Sequence, residues 1–115
     1  MLIRSQDKTV IVNIDNAFNI EIRGINGATA IYIGSSSSCC NMAEYSTRAK
    51  AMKVLDMIQE AYANAELISM AVPNIVKMIT EAPATKENEL LTEAFGEVLM
   101  NKMVFQMPVD SDVVV

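Results

Sequence analysis

Histidine and tryptophan are both absent from this 115-residue chain, and its two cysteines are neighbours, Cys39 and Cys40. Without histidine there is no imidazole to act as general base or metal ligand near neutral pH. A Ser–His–Asp or Cys–His arrangement within one chain is excluded. Two thiols also fall short of the four nitrogen or sulfur ligands that a structural zinc site takes, so no metal and no cofactor is expected. Adjacent cysteines cannot easily reach disulfide geometry, which places Cα atoms about 5.5 Å apart, so a disulfide framework is not expected either.

Other scarcities narrow the partner classes. Basic residues number nine against fourteen acids, for a net charge of −5, and residues 46–115 hold six of the bases against ten acids. An acidic chain lacks the electrostatic footprint of sequence-independent nucleic-acid or anionic-membrane binding. No apolar run approaches the ~18 residues of a membrane span, and no secretory leader is legible at the start. A reducing, cytoplasmic setting is the expectation. Aromatics are few, with three Phe and three Tyr, whereas nine methionines are present. A core of Ile, Val, Leu, Met and Ala follows, with methionine filling irregular gaps or serving an adaptable contact surface.

What the chain does contain is a change of hydrophobic period. Apolar residues alternate with polar ones up to about Tyr45, then recur every three or four residues from Thr47 onward. The first half reads as strands at 2–4, around Val10, Val12 and Ile14, at Phe18, Ile20 and Ile22, at Thr29, Ile31 and Ile33, and into Tyr45. Asp15-Asn16 and the segment from Gly24 to Gly27 read as turns, and 35–38 as a long hairpin tip. Ser46 or Thr47 can cap a helix whose face carries Ala51, Leu55, Ile58, Tyr62 and Ala65. Pro73 argues for a break into two shorter helices, and Thr85 for a third helix over about 86–101 with Leu91, Ala94, Phe95, Val98 and Leu99 as its stripe. Val104 to Met107 reads as a last strand and 109–115 as a frayed tail. The expected fold is therefore α+β: one domain over 1–108, with an antiparallel sheet of about five strands (1–45), three or four helices on one face (46–102), and a short returning strand (103–108).

No pattern carries a reaction. Gly34 followed by four serines lacks the glycine and lysine of a phosphate-cradling loop, and Gly24 with Gly27 lacks the third glycine of a dinucleotide fingerprint. Glu87, Glu89, Glu93 and Glu97 form one solvated helical surface rather than a buried acid–base pair. Arg4, Asp7 and Lys8 form a compact charged turn. It reads either as a solvated turn with a local Arg–Asp contact or as a polar anchor for a partner.

The segments Ile3-Arg4-Ser5-Gln6-Asp7-Lys8, Glu44-Tyr45-Ser46-Thr47, 51–62 (Ala51 to Tyr62) and Val104-Phe105-Gln106-Met107-Pro108 resemble small phage and prophage proteins of Gram-positive bacteria. The resemblance covers about a third of the chain. It implies a strand-rich front, a central helix and a returning strand, and it transfers no catalytic residues. The Ser/Cys segment and residues 64–102 depart from it. A non-enzymatic binding protein is the expected function, directed at a protein partner such as a host anti-phage defence protein, with a homodimer as a companion expectation. A small-ligand or nucleotide-signal binding or sequestering protein, with a pocket between helices and sheet, is one alternative, and a protein of structural role only is another.

Overall fold

The computed structural model describes residues 1–34, 38–81, 85–87, 89–90, 93–94, 96 and 104–115. The element order is β1 (Leu2–Arg4), β2 (Ile11–Asn13), β3 (Asn19–Ile25), β4 (Ala28–Gly34), β5 (Cys39–Tyr45), α1 (Arg48–Glu81) and β6 (Val104–Gln106), with 3-10 turns at Ile14–Asn16 and Asp110–Asp112. The described strands do not form the expected single five-stranded sheet with three or four helices laid on it. They form two sheets of three strands, ordered β2-β1-β6 and β3-β4-β5, accompanied by one long helix.

The division into two sheets has a local cause. Asp15-Asn16 was expected to close a hairpin, but Asn13 Oδ1 accepts from the Asp15 amide and Ala17 N donates to the Ile14 carbonyl. The resulting 3-10 turn re-aims the chain away from β2, so β3 opens a new sheet. There it pairs antiparallel with β4 from Asn19↔Gly34 to Ile25↔Ala28. The connection is a two-residue turn at Asn26 (φ 47°) and Gly27 (φ 83°), shorter than the segment from Gly24 read from sequence. Both residues lie in the left-handed region that Asn-Gly tolerates, and the twist of such a turn matches that of its strands. On the other side, β1 takes β2 antiparallel and β6 parallel, with Ile3 opposite both Val12 and Phe105.

A single helix over 34 residues replaces the two segments expected around Pro73. Proline removes one helical hydrogen bond, the one to the Ser69 carbonyl, and its ring crowds that carbonyl. Pro73 and Ser69 are both exposed, so water can satisfy what the helix loses. Thr47 caps the helix: its Oγ1 accepts from Lys50 N at 3.2 Å, while Ala51 N donates to its carbonyl. The expected third helix over 86–101 lies largely outside the described residues; those described at 86–87, 89–90, 93–94 and 96 are helical. Of the expected hairpin tip, residues 35–37 also lie outside them.

The inner faces of both sheets and the first turns of α1 share one core. Ile3, Ile31, Ala51 and Val54 are fully buried, and Ile33, Met42, Tyr45, Ile58 and Met107 nearly so. Residues 109–115, expected to fray, are instead held down: Val113 is in the core and Asp110 meets the start of α1. The helix then outruns the core. At 1.5 Å per residue it is about 50 Å long, and the molecule measures 59 × 32 × 22 Å. Its radius of gyration of 17.5 Å exceeds the ~13 Å of a compact chain near this size. Among the described residues no helix is long and apolar enough to cross a membrane.

Candidate interaction site

The residues singled out from sequence sit where the first hairpin turns. Ser5 N donates to the Val10 carbonyl and Lys8 N to the Ser5 carbonyl, with Lys8 in the left-handed region at φ 66°. Asp7 Oδ1 accepts from Ser5 Oγ (2.6 Å), Thr9 Oγ1 (2.7 Å) and Thr9 N (3.0 Å). These donors, Ser5 first and then Thr9, hold the carboxyl down at about 2. Arg4 Nε donates to the Lys8 carbonyl at 3.2 Å. Arg4 and Lys8 are thus joined through backbone, and among the described residues no ion pair links Arg4 to Asp7.

A cleft of about 340 Å³ opens between this turn and β5, lined by Gln6, Asp7, Asn41, Met42, Ala43 and Glu44. Of the three sequence-selected residues only Asp7 reaches it. The bulge in β5 shapes its floor. Ile31 pairs with Ala43 and Tyr32 with Asn41, so Met42 has no counterpart on β4. Its carbonyl instead accepts from Gln6 N at 2.8 Å, tying the first hairpin to the second sheet. The Gln6 side chain continues the tie to Glu44 N and O and to the Pro108 carbonyl. Sequence reading passed over Gln6 as one polar turn residue among several, and nothing in its local pattern marks the role.

Chemically the cleft offers acceptors. Asp7 is held ionised, and Glu44 Oε1 accepts from Asn41 Nδ2 at 3.2 Å. Among the described residues no cation lines the cleft, so a phosphate group would meet two carboxylates there. Asp110 also titrates low. The Ser46 N–H is the main cause, followed by the Ser46 hydroxyl and Lys50, whose Nζ lies 3.2 Å from Oδ2. Tyr45, whose hydroxyl donates to the Pro108 carbonyl at 2.8 Å, is pushed well above the usual phenol range by burial and then by Asp110. Both thiols are free. Cys39 is exposed 3.8 Å from Arg23, whereas Cys40 lines a separate cleft of about 260 Å³ between β2 and β4. Among the described residues, no three acidic or thiol side chains are grouped to hold a metal ion.

A further group of exposed apolar side chains lies on the projecting part of α1. Ala51, Val54 and Ile58 anchor the helix, each of the two larger side chains contributing about 1.5–3 kcal/mol by burial. Beyond them Leu67, Met70 and Met78 are 64%, 75% and 72% exposed. Spacings of three and eight residues put all three near one side of the helix. The apolar periodicity of this region was visible in the sequence, but not which face the core would leave open. Searches against protein families, curated proteins and solved structures give no match to this chain.

Proposed function

We propose that this chain is a non-enzymatic binding protein of the phage or prophage type, acting in the cytoplasm by engaging a protein partner such as a host defence protein. The observation that carries the reading is the helical arm, with Leu67, Met70 and Met78 exposed on a helix whose core residues, among the described residues, are Ala51, Val54 and Ile58 of its first turns. Exposed apolar clusters on small proteins mark interaction sites, and methionine adapts to the shape of what it meets. The resemblance of residues 3–8, 44–47, 51–62 and 104–108 to small phage proteins supplies the biological setting. The nucleotide-binding alternative draws less support, because the cleft beside Asp7 and Glu44 presents carboxylates where a phosphate would need cations. Affinity purification from a Gram-positive host tests the reading. The wild-type chain should retain one protein in stoichiometric amount, and a folded L67E/M70E/M78E variant should lose it. Equal retention by the two would remove the arm from the interaction. A shift in melting temperature with a nucleotide, and no retained protein, would favour the alternative.

A further inference from the structure

We infer that two copies of this chain pair through β3, edge to edge, making one continuous six-stranded sheet. The inference is independent of the arm and of the partner proposed for it. Among the described residues, in the order β3-β4-β5, the seven-residue strand Asn19–Ile25 is an edge, and it contains neither proline nor lysine to discourage pairing. The Asn26-Gly27 turn fixes which of its backbone groups are spent. In a two-residue hairpin the flanking pair, here Ile25 and Ala28, exchanges hydrogen bonds, and the pattern then alternates. Asn19, Glu21, Arg23 and Ile25 therefore face β4, whereas Ile20, Ile22 and Gly24 point their N–H and C=O groups away from it.

A second β3 placed antiparallel must use those same even-numbered groups. A two-fold axis at Ile22 sets Ile22 against Ile22 of the second copy and Ile20 against its Gly24, all in hydrogen-bonded positions. Glu21 then faces Arg23 of the second copy, and Arg23 faces its Glu21. Both pairs fall at the non-hydrogen-bonded positions, where opposed side chains are closest. Shifting the axis to Glu21 or to Arg23 keeps the backbone pattern but sets like charges against each other. Axes at Ile20 or Gly24 keep it too, but they shorten the overlap and leave both charges unmatched. The full-length register is thus the one that satisfies charge on both sides of the axis, as a self-complementary two-fold interface must.

The side chains fit this arrangement. Glu21 and Arg23 share the outer face, where Arg23 pairs with Glu21 and its guanidinium lies 4.8 Å from the Tyr32 ring centroid. Their side chains keep 37% and 46% of their exposure, so both remain accessible to a second copy. On the inner face Ile20 and Ile22 are only partly buried against the core. A Cβ built on Gly24 has no neighbour within 4 Å, which leaves room for the opposing Ile20.

Reciprocal charge variants of the full chain test the register. Light scattering coupled to size exclusion should give twice the 12.6 kDa chain mass for the wild type at micromolar concentration or above. E21R and R23E should each remain folded by circular dichroism while raising the dissociation constant about tenfold or more. An equimolar mixture of the two should recover the dimer mass, because one chain then carries two cations on this face and the other two anions. The contact within each strand is broken in both variants, so recovery on mixing can come only from between copies. A wild type monomeric at every concentration, single variants as dimeric as the wild type, or a mixture that stays monomeric would each overturn the inference.

Discussion

The side-chain amide of Gln6 closes both backbone groups of Glu44, accepting from its N–H at 3.1 Å and donating to its carbonyl at 3.2 Å. It does for the edge of β5 what a neighbouring strand would do. The same Nε2 donates to the Pro108 carbonyl at 3.1 Å, and the Gln6 backbone N–H takes the carbonyl freed at the Met42 bulge. One residue thereby joins the first hairpin, the second sheet and the chain after β6. The cleft beside Asp7 and Glu44 inherits its shape from that junction.

Replacing Gln6 should accordingly cost more than an average surface substitution. Q6A strips three hydrogen bonds from backbone groups, of which the one to Pro108 is partly buried, and a loss of about 1–2 kcal/mol is expected. Q6E should be at least as damaging at neutral pH, because a carboxylate turned toward two carbonyl oxygens can donate to neither. Urea unfolding of the three proteins checks the order; a Q6E variant as stable as the wild type would mean the amide orientation contributes nothing.

Acid should expose the contribution of the low-titrating carboxylates. Asp7 has a folded pKa of about 2 against an ordinary 3.8, set by its Ser5 and Thr9 donors, and Asp110 moves in the same direction at the start of α1. A lowered folded pKa means the unfolded chain binds the proton more readily. The stabilisation is therefore complete above the unfolded value and is lost as pH falls through the folded one. For Asp7 that window runs from about 4 down to about 2. Wild-type stability should fall more steeply there than that of D7N/D110N, while between pH 5 and 7 their difference stays constant. Parallel curves down to pH 2 would show that neither carboxylate is linked to folding.

Much of the fold could be read from the residues, and what could not was non-local. Alternation located β2, β3 and β4, because a strand with one wet face must alternate whatever it pairs with. It could not say that β1 would take β6 as a parallel neighbour from about a hundred residues away, since side-chain period is blind to pairing. The Asp15-Asn16 turn was legible, but its 3-10 geometry depends on the Asn13 side chain. Of the charged turn, only Asp7 proved to face the cleft. Gln6 and Asp110 were invisible because their partners, Glu44 and Ser46, are close only in space. Methionine suits core gaps and contact surfaces alike, so composition does not sort Met42 and Met107, which are in the core, from Met70 and Met78, which are exposed.

Pro73 offers a direct check on the unbroken helix. It occupies an exposed interior position where proline is about 3 kcal/mol less favourable than alanine. P73A restores a donor to the Ser69 carbonyl, so helical ellipticity should rise and amide exchange around Ser69 should slow. Had the chain formed two helices meeting at Pro73, proline would already occupy a favourable first-turn position. The substitution would then leave both measurements unchanged or lower them.

Gly34 and Asn19 offer a check on the β3–β4 hairpin, at the end away from its turn. They are register partners, and Phe18 N also donates to the Gly34 carbonyl, so two residues of the incoming strand oppose one glycine. A Cβ at position 34 would lie 2.5 Å from Asn19 Oδ1 and 3.4 Å from Cys39 Sγ. G34A must therefore push the Asn19 side chain aside, at a cost on the order of 1 kcal/mol. N19A removes the obstacle. In that background the alanine should be neutral or slightly stabilising, since glycine within a strand loses more entropy on folding. A double-mutant cycle should thus give a favourable coupling of about 0.5 kcal/mol or more. Strict additivity would mean that the glycine is held by something other than Asn19.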